Sequence, residues 1–335
     1  MTRILLFLVV VLILGGSLAA EQRKFDPSCC AVAGGALILN DSGDVVEPYF
    51  ATKALLVAQS GGLDVKATAL AWINWLLPRQ HSDGRFDRYC RKNDSWKSCS
   101  AADADDAMLA LWLELLYRNA PDSGLPAAWK HSADLSRQYL GTLRNSRLGV
   151  YHVSHGNHAA LFMDNVEVYS ALAQVARNER RFGDDTAADT DERAAQDLAK
   201  SIDNVFWDNQ QQRFRPANEK SRPAFYPDVV AQTYPWLAGM PTPAGSAQQA
   251  WERWRRVFAP MWLDNRYDPH VWGLVAVAAV EVGDLHTAGC WLDRAATHRG
   301  DHEWNILEEA AFQAVDATVP QADRVGNCSS RVNGE

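Results

Sequence analysis

Residues 101–118 read AADADDAMLALWLELLYR: aspartates at 103, 105 and 106, then a helical run from Ala107 to Tyr117 whose only charged member is Glu114. A helix with no solvated face has to be enclosed by other elements. A pattern apolar nearly all round returns over 163–180 and 269–282. The segments 188–206, with Asp189, Asp191, Glu192, Arg193 and Lys200, and 246–259 instead carry one polar face. Helical periodicity continues through 49–60, 66–77, 126–144, 227–238, 284–297 and 303–317, so enclosed and amphipathic helices alternate along the chain.

Short aromatic, strand-like pieces separate an outer helix from the next inner one, at 83–89, 148–153 and 212–216. Each leads into a helix start rich in acids or amides: Asp103 to Asp106, Asp164-Asn165, and Asp228. Asp268 and Glu303 extend this degenerate repeat, and Pro48-Tyr49 supplies its first member. The expectation is an all-α fold, an (α/α)6 toroid with six inner helices inside a ring of at least five outer ones. It occupies 21–335 as a single domain, because no Pro/Gly/Ser-rich linker divides the chain.

Residues 1–20 read as a signal peptide: Arg3, an apolar run from Ile4 to Leu14, then Ser17-Leu18-Ala19 as a small-residue cleavage pattern. Such a run is too short to span a bilayer, which takes about 20 residues. The protein is expected to be exported, periplasmic or secreted, with no stable membrane insertion once the leader is removed. The chain has 33 basic and 41 acidic residues, a net charge of −8, and this argues against nucleic acid as a partner. All six cysteines follow the leader, so disulfides are expected in an oxidising compartment. Cys90 should pair with Cys99 across a short polar loop, leaving Cys29 and Cys30 to reach Cys290 and Cys328 in either order. No C-x-x-C spacing occurs, and no metal or cofactor is expected.

The helix alternation, the Asp-Gly-Arg-Phe turn at 83–86 and the acidic inner-helix starts resemble the six-hairpin glycosidase superfamily over most of the chain. In a toroid the inner helices run the same way, so their N-termini converge on one face, which favours carboxylates. Glycosidic bonds are cleaved by two carboxyl groups, one giving a proton to the leaving oxygen and one acting as base or nucleophile. The candidate catalytic residues are Asp105 and Asp106, crowded so that each raises the proton affinity of the other, together with Asp164 and Glu167. Asp103 after Ser100, and Asp164 before Glu167, also fit capping boxes. The Asp164-Asn165 start is similar to that of unsaturated uronyl hydrolases, which implies an acid and base role for Asp164. That family's Arg-Asp-Ser-Ser-Ala stretch is missing here.

The chain contains 13 Trp, which raises the question of a sugar-stacking surface. Those at 72, 75, 112, 129, 207, 251, 254, 262 and 291 fall within or at the ends of helices and read as core. Trp96, Tyr151, His158, Tyr226, Trp236, His270, Trp272 and Trp304 are the candidate substrate contacts, with Tyr234 and Tyr267 in the same group of aromatics. Asp228, Gln232, Glu308 and Glu309 are further polar candidates for the floor. Asn157-His158 is similar to the Asn-His pairs of some (α/α) polysaccharide lyases, in which a Tyr serves as acid. The leading expectation is an exported glycoside hydrolase acting on a polysaccharide or oligosaccharide. The alternatives are a lyase acting on a uronate polymer and a non-catalytic glycan-binding or export protein.

Overall fold

The computed structural model describes residues 22–41, 43–220, 222–266, 268–324 and 328; the leader segment and Tyr267 lie outside the described residues. The chain alternates as the sequence pattern predicts. Helix α1 (Pro48–Ser60) is inner and α2 (Lys66–Leu76) outer; α3 (Asp105–Asn119) is inner and α4 (Ala127–Leu143) outer; α5 (Phe162–Phe182) is inner and α6 (Asp185–Phe206) outer. The fourth inner position is built from α7 (Phe225–Asp228), a 3-10 turn (Val230–Thr233) and α8 (Tyr234–Leu237), with α9 (Ala247–Leu263) outside it. Helices α10 (Gly273–Glu281) and α11 (Leu285–Ala295), then α12 (Ile306–Thr318) and the short α13 (Gln321–Arg324), complete the two layers. The inner helices pack in the order α1, α3, α5, α8, α10, α12, and α12 returns to α1. The fold is the all-α (α/α)6 toroid.

Two small sheets decorate it. Strands β1 (Val45–Val46), β2 (Asp87–Lys92) and β3 (Ser95–Ala101) form an antiparallel sheet, and β4 (Trp207–Asp208) pairs with β5 (Arg213–Phe214). The expected helix over 101–118 therefore begins later, at Asp105, because Ala101 still pairs with Asp87 in the hairpin. The expected helix over 227–238 is broken where proline falls: Pro235 lacks the N–H that an uninterrupted helix would need, so the chain restarts there as α8.

Burial follows composition. Gly273 to Ala279 of α10 are all buried, whereas α6 buries only one face, through Ala188, Asp191, Ala195, Leu198, Ala199, Ile202 and Phe206. Many of the indoles are core and also fasten inner to outer layers. Trp72 of α2 donates to Thr52 of α1 at 3.2 Å, Trp112 of α3 to Ser132 of α4 at 2.9 Å, and Trp262 and Trp291 both to the Val271 carbonyl, at 2.9 and 2.8 Å. Each buries a large apolar body while its one polar group finds a partner. Trp207 differs in remaining half-exposed.

The disulfide pattern corrects the sequence reading. Cys90 pairs with Cys99 across the β2–β3 hairpin as expected, but Cys290 pairs with Cys328, and the adjacent Cys29 and Cys30 bond to each other. Cys290 of α11 faces the C-terminal tail, so the N-terminal segment is not stapled to it. Ring closure is non-covalent instead. Gln313 of α12 exchanges two hydrogen bonds with the Asp26 backbone, at 2.9 and 2.7 Å, and the Ile306 N–H donates to the Leu39 carbonyl at 2.9 Å. Among the described residues no helix is long and apolar enough to cross a membrane.

Candidate active site

Neither suspected capping box forms. The residue preceding α3 is Ala104, with φ +44°, and that preceding α5 is Leu161; no side chain caps either helix. Asp103 stays exposed, and Asp106 and Asp164 are left free of capping duty, one turn or less inside their helices. The left-handed backbone at Ala104 is costly for a residue with a Cβ. It turns the chain from the hairpin into α3, and the Asp106 N–H is then held by the Val153 carbonyl at 3.4 Å.

Adjacent residues on a helix point about 100° apart, and this separates the two neighbouring aspartates. Asp106 is completely buried within the ring. Asp105 turns instead toward outer helix α4, where it accepts from the Tyr139 hydroxyl at 3.4 Å. It helps line a groove of about 640 Å³ with Asp83, Arg85, Asp103, Tyr139 and His155. Burial raises its proton affinity, with Arg85 opposing. The two aspartates therefore occupy different environments.

Asp164 of α5, itself 4% exposed, lies close enough to be repelled by the Asp106 charge. Both Asp106 oxygens and Oδ2 of Asp164 are buried without a hydrogen-bond partner. Burial pushes the Asp106 carboxyl up to about 8; the helix-start N–H groups, chiefly that of Ala107, offset part of this without reaching hydrogen-bond geometry, and the charge of Glu167 adds to it. Burial likewise pushes Asp164 well above the ordinary carboxylate range, followed by repulsion from Asp106 and Glu167. Two acids sharing one dry space titrate as a pair and keep a proton well above the usual carboxylate pH.

Glu167 is engaged differently. It accepts the Tyr49 hydroxyl at 2.9 and 3.1 Å and forms an ion pair with Lys53, which also donates to Tyr49 at 3.0 Å and Tyr234 at 3.2 Å. With its oxygens occupied, Glu167 lacks the freedom of the two aspartates. Beneath this ion pair lies a cavity of about 110 Å³, lined also by Ser60, Glu114, Leu237 and Glu281 toward the opposite end of the ring. Lys53 escapes the sequence reading, which marks Tyr49 only as a helix start and Tyr234 only as one of the aromatics. It does leave a signal, as the one charged residue of α1.

Of the aromatic candidates, Tyr226 and Trp272 stand at this site. Their rings stack 4.4 Å apart at 7°, the Tyr226 hydroxyl meets Met163 Sδ at 2.9 Å, and His270 packs edge-on against Trp272 at 5.4 Å. Trp272 also adopts left-handed backbone, φ +49°, as it enters α10, and its indole nitrogen is buried without a partner. Glu308 of α12 accepts the Gly273 N–H at 2.7 Å, and burial raises its carboxyl to about 7.

The remaining candidates are placed elsewhere. Trp96 lies on β3, edge-on to Trp75 at 6.3 Å and covered by Arg91. Tyr151 is core, its backbone clamped by Asn165, which accepts from the Tyr151 N–H at 2.7 Å and donates to the Tyr151 carbonyl at 3.0 Å. His158 is exposed, stacked on His152 at 5.3 Å and bonded to the His155 carbonyl at 3.0 Å. Trp236 is buried edge-on against Trp251 at 5.8 Å, in an outer groove shared with Trp207 and Trp254. Trp304 donates to Glu309 at 2.9 Å, and Glu309 also pairs with Arg299. Asp228 accepts the Ala224 N–H at 2.9 Å, and Gln232 bonds Phe214 in both directions. These placements share a physical reason: sequence position near an inner-helix start sets the height of a side chain on the ring but not the direction it faces.

The fold is shared with proteins of distant sequence. A GH63 mannosylglycerate hydrolase from Thermus thermophilus, solved with glucose, matches at TM-score 0.55 and 10% identity, over 84% of this chain and 95% of that one. An alpha-amylase from Clostridium perfringens matches at TM-score 0.57 and 9% identity, over 88% and 95%. A rhamnosidase from Klebsiella oxytoca, solved with rhamnose, matches at 0.52 and 14%, over 79% and 56%. All have (α/α)6 barrels of glycosidase type, the fold that the sequence resemblance implies. No protein-family model and no curated protein sequence matches the chain.

Proposed function

We propose that the protein is an exported glycoside hydrolase whose reacting carboxyl groups are Asp106 and Asp164. The observation that carries this reading is the pair itself: two aspartates from neighbouring inner helices, buried together, with three oxygens lacking any partner. An unpartnered buried carboxyl costs stability and calls for a functional explanation. The glycosidase-type fold of the structural neighbours supports a carbohydrate substrate. The leader-like N-terminus and the three disulfides support export.

In the proposed reaction the protonated member of the pair donates to the glycosidic oxygen as the bond to the anomeric carbon breaks. Water then adds at that carbon and loses a proton to the ionised member, which restores the pair. Glu167 is assigned to the electrostatics of the site and Asp105 to the neighbouring groove. Tyr226 and Trp272 offer flat faces for a pyranose ring. Because the pair is buried, substrate reaches it only as the side chains above it move.

The test is release of reducing ends from a panel of polysaccharides and oligosaccharides by the full chain and by Asp106→Asn and Asp164→Asn. Loss of about 10²-fold or more in kcat in each folded variant is expected for an acid or base group. Full activity in both would overturn the assignment. Products absorbing in the ultraviolet through a new conjugated double bond would identify a lyase, and glycan binding without turnover a binding protein.

A further inference from the structure

Lys53 is enclosed in the ring, 6% exposed. Three walls converge on its ammonium: Tyr49 from α1, Glu167 from α5 and Tyr234 from α8, whose ring centroid lies 4.3 Å away. Glu167 also receives the Tyr49 hydroxyl, so cation, phenol and carboxylate form one closed set of contacts. Burying an ion pair costs desolvation of both members, and among the described residues no second cation is paired with Glu167 to offset it. The arrangement sits between the aspartate pair and the cavity below, and nothing in the proposed reaction uses it directly.

We propose that Lys53 is a positioning residue that acts through Glu167: together with the Tyr49 hydroxyl it fixes the Glu167 carboxyl group beside Asp106 and Asp164, and so sets the charge that the reacting pair meets. This rests on the reading of the two aspartates as the reacting groups. Glu167 lies three residues beyond Asp164 on α5, so the two carboxyl groups share one face of that helix. The influences on Asp164 rank accordingly, with repulsion from Glu167 ahead of attraction to Lys53.

Other groups face Glu167 as well. Tyr49 and Lys53 do so from α1, Asp106 and Glu114 from α3, Asp164 from its own helix, and Tyr226 and Tyr234 from α7 and α8. Glu114 is already matched by Arg118 at 3.0 Å, and Glu281 of α10 lines the cavity farther down. The tyrosine hydroxyls are held protonated by burial; besides Glu167, Asp105 also repels charge on Asp106 and Asp103 on Asp164, each more weakly than Glu167 does.

The experiment follows the protonated-carboxyl infrared band of the full-length protein, without substrate, between about pH 5 and 9, where solvated carboxyls are ionised. Asp106→Asn and Asp164→Asn assign the band. Glu167→Gln should lower its midpoint by about one pH unit or more, because a like charge has been removed. Lys53→Met should shift the aspartate band the same way, since an unpaired buried Glu167 takes up a proton. The double variant Lys53→Met/Glu167→Gln removes both charges together, leaves no stranded carboxylate if the single variant fails to fold, and should still lower the midpoint, by less than Glu167→Gln because the opposing attraction of Lys53 is lost as well. An unchanged or raised midpoint in the double variant, or no such band in the parent protein, overturns the proposal. The readout needs no turnover, so a protein that hydrolyses no glycan would refute the functional reading while this measurement still stood.

Discussion

Replacing Asp106 by asparagine should alter how stability depends on pH. In the native protein this carboxyl is pushed up to about 8 by burial, against an ordinary value of 3.8. The native state therefore keeps a proton that the unfolded chain gives up. Stability from this group is complete below about pH 3.8, falls as pH rises, and levels off above about 8. Each pH unit in that window costs about 1.4 kcal/mol, so at pH 7 the penalty is about 4 kcal/mol and between pH 5 and 7 it grows by about 3 kcal/mol. Asparagine has nearly the shape of the protonated acid and does not titrate. Asp106→Asn should thus match the parent protein at acid pH and exceed it at neutral pH. Urea unfolding at several pH values from about 5 to 7 measures this as the difference in stability between variant and parent. Asp164, Glu179, Asp203 and Glu308 are also raised and contribute slopes of the same sign, so the difference is the informative quantity. Parallel stability curves for the two proteins would refute the reasoning.

Three further outcomes follow from packing and from the site. Gly273→Ala should destabilise by about 1–3 kcal/mol in thermal or urea unfolding, because the added Cβ would come within 2.6 Å of Ala311 Cβ and 2.7 Å of Glu308 Oε2, in a helix contact with little room to adjust. Replacing both Cys90 and Cys99 by serine should cost about 2–3 kcal/mol, the entropy of a short closed loop in the unfolded chain, and leave the ring intact by circular dichroism. Trp272→Ala should raise KM by about 3- to 10-fold on a substrate the parent hydrolyses, while Trp96→Ala, on the outer face of the β2–β3 hairpin, should leave KM unchanged.

The ring itself was legible in the sequence because enclosed and amphipathic helices differ in composition around their whole circumference, as 101–118 and 188–206 do. Asp106 and Asp164 were legible as acids at inner-helix starts. Pattern alone could not separate Asp106 from Asp105, since a single step along the helix exchanges the ring interior for the α3–α4 seam. The aromatic candidates divided for the same reason, Trp272 reaching the site and Trp236 the outer wall. Nor could spacing reveal the Cys29–Cys30 bond, which depends on the tail to which Cys290 turns. Lys53 was visible as a lone charge in α1, but its partners come from helices far away in sequence.

The interrupted fourth inner position gives the toroid one stave unlike the others. A single long helix moves as a rod, whereas α7, the 3-10 turn and α8 are each about one turn long and gain little from helical cooperativity. Hydrogen exchange should therefore be fastest here among the inner segments, with α3 and α5 the slowest. Tyr226 and Tyr234 are carried on this stave, so the least cooperative piece of the wall is also the piece bearing phenols over Asp164 and Lys53. Any opening of this stave would carry both phenols with it, while Asp106 and Asp164 stay on the long helices α3 and α5.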